Sequence, residues 1–223
     1  MSLGRKLLDL IFPPKCVFCG KVLDDPGAGV CPRCMKELPW SDTGKRRADF
    51  VSRITAPLYY EGLVRDSLLR YKFHSASARG TVYGRLVARE LQRRDALDFD
   101  VLTWVPLNKY RRRSRGYDQA QLIAESAASA LAIEAVPVLE KIRNAQPQSG
   151  LRSAERRRAN ISGCYAVPDP SLVADKRILI VDDIITTGAT VSECARMLML
   201  AGAKDVSAAS LAVPRNEKRP IEI

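Results

Sequence analysis

Histidine is almost missing from this sequence: one residue in 223, His74 in "RYKFHSAS". No partner motif stands near it, so it reads as a boundary residue rather than a catalyst. Lys72, two residues earlier, reads as a solvated helix-end lysine. No apolar run approaches the roughly 20 residues that cross a bilayer. The N-terminal "LLDLIF" is short, is interrupted by Asp9 and lacks a small-residue cleavage site. It predicts an amphipathic first helix rather than a signal peptide, and so a soluble, cytoplasmic protein. Repeats and low-complexity tracts are absent, and so is the G-x-x-x-x-G-K-[ST] spacing of a P-loop, which argues against ordinary ATPase chemistry. Acidic residues are also short, 25 Asp and Glu against 36 Lys and Arg, for a net charge of +11. That excess suits polyanionic partners, either nucleic acid or a phosphate-rich small molecule. Much of it lies in "NKYRRRSRGYD" (108–118) and "RSAERRRAN" (152–160).

Cysteine is present in a pattern. Cys16, Cys19, Cys31 and Cys34 form C-x2-C, eleven residues, C-x2-C, with "DDPGAG" between the pairs as a hairpin turn. Four thiolates at this spacing predict one tetrahedral Zn²⁺. Disulfides are the competing reading, disfavoured without a secretory signal. No histidine nearby and no open ligand position suggest metal catalysis, so the zinc is structural, stabilising a segment too small to fold on apolar burial alone. Cys164 and Cys194 stand apart and read as small core residues. Trp40 and Trp104 read as packing groups rather than base-stacking platforms.

With 46% hydrophobic residues the chain supports one full domain plus a small appendage. The polar, turn-rich "SDTGKRRADF" (41–50) places the boundary, giving a zinc-ribbon unit at 1–44 and a second unit at 45–223. Beyond it, strands are predicted at 53–60, 100–106, 136–141, near "CYAV", at 177–183 and at 205–213. Helices are predicted at 62–73, 82–94, 118–131 and from 189, with Gly202 as the stop of the last. Residues 143–162 read as irregular. Strands alternating with helices predict a largely parallel α/β sheet.

The strongest strand ends in "VDDIITTGAT" (181–190), two adjacent carboxylates running into threonines and a glycine. Ligands of parallel α/β sheets bind beyond the carboxyl ends of the strands. The turn at 186–190 offers backbone N–H groups, threonine hydroxyls and a helix N-terminus, which together cradle a phosphate. Asp182 and Asp183 stand where they accept hydrogen bonds from the vicinal hydroxyls of a ribose whose 5′-phosphate fills that cradle. The bland alternative is that the two aspartates simply face solvent.

"VDDIITTGAT" closely resembles the phosphoribosyl-diphosphate (PRPP) motif of type I phosphoribosyltransferases. Together with the double C-x2-C, "VPLNKYRRRSRGYDQAQ" and "PQSGLRSAERRRAN", in that order, it makes nearly the whole chain resemble the ComF competence-protein family. The resemblance implies a type I phosphoribosyltransferase-like sheet with an N-terminal zinc ribbon. Asp182 and Asp183 would hold the ribose and serve as the catalytic pair, while Thr186, Thr187, Gly188, Ala189 and Thr190 would bind the 5′-phosphate. Pro106, Leu107 and Asn108 would form the pyrophosphate loop, and 143–162 would cover the site. It further implies Mg²⁺ bridging pyrophosphate and ribose oxygens, with Arg112, Arg115, Arg152 and Arg156 as candidate anion contacts. Family members usually carry Asn where this chain has Asp118. DNA uptake or utilisation is implied as the setting, with single-stranded DNA and a helicase-type protein as candidate partners. Two function classes stand open: a transferase with an unidentified acceptor, and a non-catalytic nucleic-acid-binding module on the same fold.

Overall fold

The computed structural model describes residues 13–25, 27–42, 48–73, 77–108, 116–143 and 161–215. "LLDLIF", His74, Arg112, Arg115, Arg152 and Arg156 lie outside the described residues, as does most of 143–162. Along the chain run α1 (Pro32–Glu37), β1 (Ile54–Thr55), β2 (Leu58–Tyr59), α2 (Gly62–Phe73), α3 (Ser77–Arg93), β3 (Val101–Trp104) and α4 (Gln119–Ala130). Then come β4 (Glu140–Lys141), β5 (Tyr165–Ala166), β6 (Arg177–Ile184), α5 (Ala189–Leu200) and β7 (Asp205–Val213).

β6 and β7 form the centre because both are continuous apolar runs that can be covered on two faces. They pair in parallel from Arg177↔Asp205 to Ile184↔Ala212. β3 adds in parallel on the far side of β6, and β1 and β2 both add in parallel to the free edge of β7. The expected strand 53–60 is therefore two short segments. Pro57 lies at the break; it lacks a backbone donor and cannot continue a ladder. The expected strand 136–141 shortens to the two residues of β4, which pair antiparallel with β5, while Ala135 bridges Leu102 at the β3 edge. The helix expected from 82 begins at Ser77.

Alternation along the strands divides the core. Leu179 and Val181 of β6 face a layer of α2, α3 and α4, and Ile178 and Ile180 face α5 and the β4–β5 pair. Among the described residues no helix is long and apolar enough to cross a membrane.

The cysteine-rich segment shares the first of these cores. Cys16, Val17, Phe18, Val30, Cys31 and Cys34 belong to the same buried cluster as Tyr71, Tyr83 and Ile123. Phe18 is 0% exposed and meets Tyr83 with ring centroids 5.9 Å apart. Arg70 donates to the Phe18 carbonyl (2.6 Å), and Ser67 donates to that of Val17. Gly29 has φ +67°, and a Cβ there would stand 2.4 Å from the Val82 Cγ2, so only glycine lets this loop seat on α3.

Candidate functional site

The four cysteines that the spacing singled out converge. Their sulfurs lie within 4.8 Å of one another, with Cys19 Sγ 3.7 Å from Cys31 Sγ. A disulfide needs about 2.05 Å, whereas sulfurs about 2.3 Å from a shared tetrahedral zinc sit about 3.8 Å apart. The donor set fits Zn²⁺ and closes its coordination. Cys31 is also the N-cap of α1, its sulfur accepting from the Cys34 N–H (3.4 Å). Burial opposes ionisation of Cys16, but the backbone N–H groups of Cys19, Cys31 and Phe18 outweigh it and bring the thiol down to about 7. Cys164 and Cys194 are buried, as expected.

The second centre forms where β6 ends. Gly188 adopts φ 78° as the N-cap of α5 and has no side chain to cap it, although Thr187 Oγ1 accepts from the Ala189 N–H at 3.4 Å. The first-turn N–H groups of α5 are presented to the cleft ahead of it, a favourable place for an anion. A Cβ on Gly188 would also meet that of Ala48 at 2.9 Å. The cleft, about 140 Å³, is lined by Asp182, Thr186, Thr187, Gly188, Ala189 and Thr190, together with Ile161 and neighbouring apolar groups. The five expected cradle residues and one of the two aspartates thus share one concavity.

Asp182 and Asp183 are adjacent in a strand and so project to opposite faces of the sheet. Asp182 lies on the α5 side. There burial first, and then its charge among others, pushes the Cys194 thiol up. Asp183 lies on the side of the helical layer, where burial and then its charge raise the Tyr71 phenol. Each carboxylate accepts from the next backbone N–H: Asp182 Oδ1 from Asp183 (2.7 Å) and Asp183 Oδ1 from Ile184 (2.8 Å). These local bonds fix the carboxylate orientations at the sheet edge.

Pro106, Leu107 and Asn108 leave β3, the strand beside β6, in register with it through Trp104↔Val181, and all three are half-buried. The residue that anchors them is Asp118. It is 5% exposed and caps α4 through Oδ1, which accepts from Gln121 N–H (3.3 Å). Its Oδ2 accepts from Leu107 N–H (2.6 Å). Asp118 therefore ties the turn after β3 to the start of α4.

Sequence reasoning missed Glu193. This α5 residue accepts the Gly163 N–H (2.7 Å) and holds a two-pronged pair with Arg196, and these contacts, against its burial, keep its carboxyl below the usual range. Gly163 in turn gives its carbonyl to Arg143 Nε (3.0 Å). Nothing in the local pattern marks Glu193, whose partner is 30 residues away.

Residues 87–223 match the phosphoribosyl transferase domain family, and residues 7–46 match the double zinc ribbon domain. Competence protein ComFC of Streptococcus pneumoniae is 30% identical over 208 residues, covering 88% of this chain and 86% of that protein. Competence protein F of Haemophilus influenzae is 28% identical, covering 89% and 84%. DNA utilization protein YhgH of Salmonella typhimurium is 31% identical, covering 86% and 80%.

Proposed function

The chain belongs to the ComF family, a phosphoribosyl transferase domain joined to a double zinc ribbon, and from that premise we propose that it binds PRPP with Mg²⁺ at the carboxyl ends of β6 and β3. The observation that carries the reading is the shared cleft in which Asp182 meets the glycine-capped start of α5 and the 186–190 turn. The 5′-phosphate accepts from first-turn N–H groups and threonine hydroxyls. The ribose hydroxyls donate to the two carboxylates at the strand end. Pyrophosphate lies toward Leu107, whose turn Asp118 holds.

The donor set suits Mg²⁺, a hard cation that takes carboxylate and phosphate oxygens, and Asp182 and Asp183 are the residues that would hold it. When bound it supplies charge neutralisation to the departing pyrophosphate. The chain's own part is orientation: a fixed phosphate at one end and a fixed turn at the other hold the sugar for displacement at its anomeric carbon. The names of the relatives, competence protein and DNA utilization protein, point to competence or DNA utilisation as the setting, with single-stranded DNA and a helicase-type protein as partners. A second reading, a nucleic-acid-binding module without catalysis, is favoured by the charge of +11 and its clustering at 108–118 and 152–160.

Titration calorimetry with PRPP and Mg²⁺ tests the first reading. Asp182→Asn with Asp183→Asn leaves the fold intact, since each amide oxygen still accepts its backbone N–H and a like-charge repulsion is removed. Affinity is expected to fall about tenfold or more for each carboxylate lost, the scale of a charged hydrogen bond. No heat in the wild-type protein, with the variant identical, would refute the assignment. Pyrophosphate release on adding acceptors separates transferase from binding module.

A further inference from the structure

One helix, α2, touches both the first C-x2-C turn and the anchor of the turn after β3. Cys16 and Cys19 enclose Val17 and Phe18, and Gly20 N–H donates to Cys16 O (2.9 Å) to close that turn. Both enclosed carbonyls are taken by α2: Ser67 donates to Val17 O and Arg70 to Phe18 O (2.6 Å). Ser67 is fully buried, and its hydroxyl also lies 2.5 Å from that of Tyr83. The sulfurs of Cys16 and Cys19 belong to the four-thiol cluster. A shared metal therefore fixes both ends of the turn, and with them the two acceptors that α2 donates to.

One helical turn along the same face stands Tyr71, also fully buried. Its hydroxyl donates to Gln119 O (2.9 Å), and its own carbonyl accepts from the Tyr117 hydroxyl. These two bonds bracket Asp118, whose Oδ2 holds the Leu107 N–H. The Tyr71 hydroxyl is seated against α3, where a Cβ on Gly80 would stand 2.9 Å from it. Its ring meets Tyr83 edge-on, with centroids 5.2 Å apart. The grip on the thiol centre and the grip on the Leu107 turn thus sit on neighbouring turns of one helix.

We propose that Tyr71 is a positioning residue that couples the four-thiol centre to the sugar site, so that zinc and PRPP each tighten the other's binding. The proposal rests on the reading of PRPP at the ends of β6 and β3. With the metal held, the Val17 and Phe18 carbonyls keep α2 in place, Tyr71 keeps residues 117–119 in place, and Asp118 keeps the Leu107 turn shaped for pyrophosphate. Without it the C-x2-C turn opens, its carbonyls leave Ser67 and Arg70, and the bracket around Asp118 slackens. Coupling of this kind is reciprocal, so PRPP raises zinc affinity by the factor by which zinc raises PRPP affinity.

The zinc affinity of the full-length protein is measured by competition with a chromogenic chelator in excess Mg²⁺. Saturating PRPP is expected to raise it about tenfold, within the usual span of such couplings. Ribose 5-phosphate fills the 186–190 cradle without reaching the Leu107 turn. At saturation it should leave zinc affinity unchanged, which separates the path through Tyr71 from general stabilisation of the fold. Tyr71→Phe keeps the ring and loses the bond to Gln119. That variant should still bind zinc and PRPP, with zinc affinity now nearly the same whether or not PRPP is present. PRPP heat in calorimetry with unchanged zinc affinity overturns the coupling and leaves the PRPP reading standing. Equal protection of zinc by ribose 5-phosphate, or coupling undiminished in Tyr71→Phe, also overturns the proposal. No PRPP heat in the wild type removes the underlying reading, and the proposal with it.

Discussion

Asp118 shows how one carboxylate can join two parts of a site. Its two oxygens serve two backbone donors, Leu107 N–H and Gln121 N–H. Asparagine has one acceptor oxygen there, and its NH₂ group would face the other donor. Asp118→Asn, the residue usual in the family, is therefore expected to cost about 1 kcal/mol in denaturant unfolding, the net worth of one hydrogen bond. Asp118→Ala loses both partners and is expected to cost about 2–3 kcal/mol, leaving the Leu107 turn unanchored. Both variants should weaken PRPP by calorimetry, the alanine more. Equal stability of all three proteins would show that the cap carries no energy.

At the scale of elements, α5 does two tasks. Its glycine-capped start lines the cleft at the end of β6, and one turn later Glu193 grips Gly163 at the edge of the β4–β5 pair. The Glu193 carboxyl is depressed chiefly by its hydrogen bonds to Arg196. A folded value below the unfolded one contributes stability that is fully present above the unfolded pKa, about 4.3 for glutamate. That stability is lost as pH falls through the lower folded value. Glu193→Gln is thus expected to destabilise the protein by about 1–3 kcal/mol at neutral pH. Between pH 5 and roughly 3 the variant's stability should fall less steeply than the wild type's, as seen in urea midpoints across that range. Parallel curves would mean that the clamp does not titrate.

For the molecule as a whole, the cysteine-rich segment is built into the core. Phe18, between Cys16 and Cys19, leads through Tyr83 to Tyr71 (centroids 5.2 Å) and on to Tyr117 (6.0 Å). Tyr71 donates to Gln119 O (2.9 Å) at the start of α4, beside Asp118. Removing zinc is therefore expected to lower the stability of the whole chain in one transition rather than release a loose appendage. Calorimetric melting before and after chelation, with metal analysis of wild type and of Cys31→Ser, checks this. Phe18→Ala should cost about 3–5 kcal/mol, the range for a buried aromatic. It should also weaken zinc retention. A sheet that melts unchanged after zinc removal would show the two parts to be energetically separate.

The sequence by itself determined what is encoded within a few neighbouring residues. The two C-x2-C pairs, the apolar runs of β6 and β7, and the turn from Asp182 to Thr190 each carry their chemistry over short spans, where spacing alone fixes which groups meet. Even the stop of α5 was legible, since Gly202 takes φ +93°. Contacts between distant residues were decided by the tertiary structure. The strand expected at 53–60 is divided because its ladder is set by β7, more than 150 residues on, and Pro57 interrupts it. Trp40 is held by Met35 and Leu58 and stays partly exposed, a placement decided only when the segment after the ribbon meets β2 and α3. Asp118 and Glu193 look like ordinary helix acids in sequence, and their partners, 11 and 30 residues away, come within hydrogen-bond reach only when the sheet edge assembles. Local patterns fix which groups are available; the closure of long loops fixes which of them meet.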